Sequence, residues 1–121
     1  MIYIQMPSSW VEFSYKNIKP MTERIRILSA VSFHYEISIY EMKKKDRHRK
    51  IVLPRQVAMY LLSHFSSMTL CDIGRFFDRD HTTVIHAKEV IMDLMLYDDK
   101  IKNDIEILTN KIKPNADYTK I

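Results

Sequence analysis

One glycine, Gly74, and one cysteine, Cys71, are all that 121 residues contain of either type. A phosphate-binding P-loop needs two glycines ahead of its lysine and the dinucleotide fingerprint needs three, so nucleotide binding by either device is excluded. A lone cysteine closes no internal disulfide and no basic-then-apolar leader opens the chain, which argues against a secreted disulfide scaffold and for a reducing cytoplasm. No apolar run approaches the ~18 residues that cross a bilayer, so no membrane partner is expected. His34, His48, His64, His81 and His86 lack a cysteine or acid at zinc-ligand spacing and read as surface or groove residues, while Asp98, Asp99 and Asp104 read as a solvated helix face rather than a carboxylate cluster for metal ions. Cys71 has no basic partner in a visible motif. No cofactor, metal or catalytic centre is expected, and the chain is not read as an enzyme.

What is present points to one compact core. Apolar residues make up 46% of the sequence, and a chain of this length buries roughly two-thirds of its unfolded surface. The 19 Lys and Arg against 15 Asp and Glu leave a formal charge of +4, too little by itself to specify a polyanion partner. Its placement says more. From Lys43 to Arg55 seven basic side chains face one acid, Asp46, whereas from Asp93 to Glu106 five acids face two lysines. A local surplus of this kind is the footprint expected of a nucleic-acid-binding face, although a basic run is equally at home on a solvated surface.

Periodicity predicts about six helices and no strands. Residues 1–21 mix aromatics, prolines and polar residues without a period and read as an N-terminal arm; 22–113 form the domain and 114–121 a tail. Behind Thr22 and Glu23 a first helix turns Ile25, Leu28, Val31 and Tyr35 inward. Ser38 with Glu41 is a capping box for a short second helix, and the stretch Lys45 to Leu53 reads as a basic loop. Pro54 suits the first turn of a third helix with Val57, Ala58, Leu61, Leu62 and Phe65 inward. Thr69 and Asp72 open a fourth helix carrying Leu70, Ile73, Phe76 and Phe77. Asp80 caps a fifth, with Val84, Ala87, Ile91, Leu94 and Met95 inward, and a sixth uses Ile101, Ile105, Leu108 and Ile112, stopping before Pro114. The methionines and the Phe76–Phe77 pair read as core filling.

The fourth and fifth helices, joined by a tight turn, form a helix-turn-helix unit. Its second helix enters the major groove by its N-terminal end, where dipole and free N–H groups favour phosphate and short polar side chains can reach bases. His81, Thr82 and Thr83 lie there, off the apolar stripe, with His86 about one turn beyond. A threonine pair in a first turn is also common as plain capping. Arg47 and Arg49 of the basic loop suit a minor groove, where narrow walls concentrate negative potential. Arg55 and Gln56, at the expected start of the third helix, suit a phosphate held by a helix N-terminus; for Gln56 ordinary capping serves as well.

These residues resemble a known family. Arg47-x-Arg49, then Pro54-Arg55-Gln56-x-Ala58-Met59-Tyr60-Leu61, then Leu70-x-x-Ile73-Gly74-x-x-Phe77, then Arg79-Asp80-His81-Thr82-Thr83-Val84-Ile85-His86-Ala87 is similar to the C-terminal DNA-binding domain (domain IV) of the bacterial replication initiator DnaA. The resemblance implies a Trp-repressor-like, all-α, helix-turn-helix fold binding a short asymmetric A/T-rich box. It further implies Arg47 in the minor groove, Arg55, Asp80, His81, Thr82 and Thr83 on bases and phosphates of the major groove, and His86 and Lys88 as further contacts. Three departures stand out: Asp46 where a basic residue is usual, Ser63 where a basic phosphate contact is often found, and Phe77-Asp78-Arg79, one residue shorter than the usual Phe-Gly-Gly-Arg turn. The initiator's upstream AAA+ nucleotide-binding module has no counterpart in the glycine-free residues ahead of Ile25, so the sequence reads either as a stand-alone protein or as an excised fragment of a longer one, and the arm-like residues 1–21 favour the former. The expected function is sequence-specific double-stranded DNA binding at a DnaA-box-like site in a nucleoid-associated, cytoplasmic setting, serving replication initiation, its regulation, or transcription. The alternative is a helical interaction module that binds a replication initiator or another protein.

Overall fold

The computed structural model describes residues 19–113, with side chains from residue 23; most of the expected arm and the tail lie outside the described residues. Six helices follow in order: α1 (Lys19–Tyr35), α2 (Ile39–Lys43), α3 (Arg49–Phe65), α4 (Leu70–Phe76), α5 (His81–Tyr97) and α6 (Asp99–Ile112). Among the described residues there is no strand, and no helix is long and apolar enough to cross a membrane.

Local chemistry explains most of the boundaries. Ser38 Oγ accepts from the Glu41 N–H at 3.0 Å while the Ser38 N–H donates to Glu41, and Thr69 with Asp72 repeats this reciprocal pairing at the start of α4. Glu36, in the left-handed region at φ 54°, ends α1, and the Ile37 N–H reaches back to the Ser32 carbonyl at 3.1 Å. Asp98 serves two helices at once. Its N–H donates to Leu94 O at the end of α5, and its carboxylate accepts from the N–H groups of Lys100 and Ile101 at the start of α6.

α3 lies at the centre, packed against α1, α2 and α5, and α6 closes the domain across α1 and α5. Val31, Val57, Leu61, Leu62, Ile73, Phe77, Val84, Ile91 and Leu108 are fully shielded from solvent. The inward stripes of α5 and α6 are as expected; Leu94 and Met95 pack partly buried at the edge.

Four expectations are corrected. The basic stretch is not a loop to Leu53: α3 begins at Arg49, because Ile51 is buried and extends the inward stripe one turn before Pro54. Pro54 therefore sits in the second turn rather than the first, where its missing N–H deprives the carbonyl of Lys50, an exposed residue, of its helical donor. In α1, which starts at Lys19 ahead of Thr22, Ile25 is 51% exposed and Ile27 takes the core position beside Leu28 and Val31. Asp104 is no part of a solvated face. It is 7% exposed, accepts from His34 Nε2 at 2.9 Å and Tyr35 Oη at 3.1 Å, and pairs with Lys100 at 3.5 Å. Burial alone would push its carboxyl up, but the His34 and Tyr35 bonds together with Lys100 outweigh it and hold the group below the usual carboxylate range. In turn, burial and the Asp104 carboxylate push the Tyr35 phenol well above its ordinary value.

Candidate nucleic-acid interface

The turn between α4 and α5 is built by three residues. Gly74 is buried and so close to the following turn that an added Cβ would lie 2.6 Å from the Arg79 carbonyl oxygen, while the Arg79 N–H donates to Gly74 O at 2.7 Å. Only a residue without a side chain permits that approach. Asp78 adopts φ 56°, the left-handed conformation that lets the turn reverse in so few residues. Asp80 then caps α5. Its carboxylate accepts from the Thr82 hydroxyl at 2.8 Å and from the His81 N–H at 2.9 Å, and these bonds, in that order, hold the carboxyl below its ordinary range.

The first turn of α5 is presented outward. His81, Thr82, Thr83 and His86 are all exposed, and Lys88, half-buried on the flank, faces His64, whose imidazole is pushed down first by burial and then by the lysine charge. The basic segment is equally open: Lys43, Lys44, Lys45, Arg47, Arg49 and Lys50 are exposed. Arg49 and Lys50 occupy the first turn of α3, so the N–H groups and dipole of that helix end add to their charge. Asp46 is spent locally. It accepts from the His48 N–H at 2.8 Å and from His48 Nδ1 at 2.6 Å, and the backbone bond chiefly holds its carboxyl down.

Arg55 is the expected contact residue that the structure does not bring to the surface. With α3 starting at Arg49, Arg55 lies in its second turn, is only 8% exposed, and donates to the carbonyls of Met42 (3.2 Å), Lys44 (2.9 Å) and Asp46 (3.3 Å). Three carbonyls satisfy a buried guanidinium, in place of the expected phosphate. Burial first, and the nearby Arg79 second, make its charged form less favourable, partly offset by Asp46. Gln56, half-buried one residue on, is likewise too far along α3 to serve the helix N-terminus.

Arg79, in the sequence no more than one member of a motif, joins the two exposed regions. Its guanidinium donates to the carbonyls of Lys43 at 3.1 Å and Lys44 at 2.8 Å, and also to its own turn at Phe77. Lys45 pairs with Asp78 at 3.6 Å, and Lys43 lies 4.5 Å above the Phe76 ring. The segment carrying Arg47 is thereby tied to the helix-turn-helix turn. No residue pattern along the chain announces this, since the acceptors are backbone carbonyls some 35 positions away.

Comparison with known proteins agrees with this architecture. A family model described as the bacterial dnaA protein helix-turn-helix matches residues 25–91. Among curated proteins, the chromosomal replication initiator protein DnaA of Oenococcus oeni is 47% identical over 91 residues, covering 74% of this chain and 20% of that protein. The DnaA of Desulfotalea psychrophila is 37% identical over 87 residues (72% and 18%), and that of Bdellovibrio bacteriovorus 40% over 87 (71% and 18%). The chain thus spans about a fifth of the length of the curated relatives it matches. With a matching helix-turn-helix and a matched region covering most of its helices, the chain belongs to the family of the bacterial DnaA helix-turn-helix, the C-terminal domain of that initiator.

Proposed function

We propose that this chain binds double-stranded DNA sequence-specifically at a DnaA-box-like site and acts in replication initiation or its control, without catalysis of its own. One observation carries the reading: the exposed first turn of α5, with His81, Thr82 and Thr83, and the exposed basic segment with Arg47 are fastened to one another through Arg79. A helix N-terminus bearing short polar side chains fits a major groove, and an adjoining arginine on a loop fits a neighbouring minor groove. Arg49 and Lys50 at the start of α3 supply phosphate contacts, His86 and Lys88 flank the reading turn, and Asp80 orients it through Thr82 and His81. Arg55 acts from beneath, by shaping the basic segment. The relatives' name, chromosomal replication initiator, supports the placement in initiation.

Selection of bound sequences from a random duplex pool tests this. The expected result is one enriched, short, asymmetric motif with an A/T-rich end. Recovery of a pool with no preferred sequence overturns the reading.

A further inference from the structure

We propose that Arg79 is a positioning residue that fixes the spacing between the major-groove and minor-groove readers, an inference that rests on the DNA-binding function proposed above. Arg79 directly precedes the cap of α5, on the side of the domain where a basic side chain would be expected to seek phosphate. Its guanidinium is instead committed to backbone: Lys43 O, Lys44 O and Phe77 O. Arg55 reaches the same Lys44 oxygen, at 2.9 Å against 2.8 Å for Arg79. A single carbonyl is therefore gripped by two arginines, one rooted in α3 and one in the helix-turn-helix turn.

The consequence follows from where these anchors sit. Lys44 is three residues from Arg47, and Arg79 is next to Asp80, which holds His81 and Thr82. The segment from Lys44 to His48 lies between helices and would by itself be loose. With Arg79 in place, Arg47 and the tip of α5 move as one body. The planar fork of arginine can span two carbonyls at once, a geometry that lysine does not reproduce. A rigid pair of readers accepts only one separation between the two halves of its site.

The experiment uses the full chain and the duplex it selects, with and without one base pair inserted between the A/T-rich end and the major-groove end. The insertion displaces the halves by about 3.4 Å and roughly a tenth of a turn. The wild type should lose at least ~10-fold in affinity, the scale of one lost base contact. Arg79→Ala, checked by thermal melting, should bind the uninterrupted site several-fold more weakly yet discriminate against the insertion by no more than ~2-fold. Arg79→Lys, which keeps the charge and is the safer variant for folding, should also relax the spacing. If wild-type protein tolerates the insertion, or if folded Arg79→Ala or Arg79→Lys keeps the full spacing penalty, the proposal is overturned. Uniform weakening with a salt slope reduced by about one charge would show Arg79 to be a phosphate contact instead. A wild-type chain that selects no sequence removes the functional reading itself, which is a separate result from a selected site with free spacing.

Discussion

Gly74 and Arg79 stand back to back: the Arg79 N–H donates to the Gly74 carbonyl, and the Arg79 carbonyl occupies the space a Gly74 side chain would need. Any side chain at position 74 must therefore push α5 away from α4. Gly74→Ala should destabilise the fold by roughly 1–3 kcal/mol, the usual cost of overpacking. Denaturant unfolding measures it, and unchanged stability would mean that the turn relaxes without effort.

Asp78 occupies a left-handed conformation as a non-glycine residue, which costs about 1 kcal/mol relative to glycine. Asp78→Gly should raise stability by no more than roughly 0.5 kcal/mol once the added freedom of the unfolded chain is deducted. Asp78→Val should lower it, since a β-branched residue fits that conformation poorly. Thermal melts of the two variants should move in opposite directions.

Asp104 couples α6 to α1 through His34 and Tyr35. Because its pKa is lowered in the folded state, its contribution is fully present above the ordinary carboxylate range and fades as pH falls through the lowered value. Asp104→Ala should cost roughly 1–3 kcal/mol by leaving the half-buried His34 and Tyr35 without their shared acceptor, and should flatten the acid limb of the stability profile. Urea titrations across acidic pH check both. An Asp104→Ala protein with the wild-type acid limb would place the acid sensitivity elsewhere.

Asp46 is the one acid in the basic segment, and its carboxylate is bound to His48 at the start of α3. Asp46→Asn retains an acceptor for the His48 N–H while removing the charge, so folding should be preserved. Duplex binding should tighten at low salt and converge on wild type as screening increases. Equal affinity at every salt concentration would put this segment away from the duplex.

Arg47→Ala and Thr83→Ala are expected to fail in different ways. Loss of Arg47 should erase preference at the A/T-rich end alone. Loss of Thr83 should erode it at the other end, by ~1–3 kcal/mol if a good base contact is removed. Repeating the sequence selection with each variant distinguishes them, and proportionate loss at both ends would mean that α5 is not the reader.

Features governed by neighbours in the chain are legible in the sequence itself. The capping boxes at Ser38 and Thr69, the Asp80 cap and the apolar stripes of α5 and α6 need no more than local spacing, and the exposed first turn of α5 follows from them. Charged residues turned inward are not legible in this way. Arg55 and Asp104 carry polar side chains that ordinarily seek water, and their partners lie up to 70 positions away in the chain. The start of α3 is obscured for a related reason. A dense basic run hides Ile51, although its position seven residues before Ala58 continues the buried stripe. Ile25 and Ile27 are alike to a helical period, and only the packing of α1 on α3 and α6 chooses between them.

The pairing of α1 with α6 bears on where the described domain can unravel. His34 meets Asp104 near the C-terminal end of α1, and further back along α1 the Arg26 guanidinium donates to the Ile112 carbonyl, so the two helices run antiparallel and the last turn of α6 is held by a side chain 86 positions earlier. A helix end stays ordered only where something ties it down. Fraying of α6 from its C-terminal end therefore has to break a contact with α1 before it reaches the fully buried Leu108.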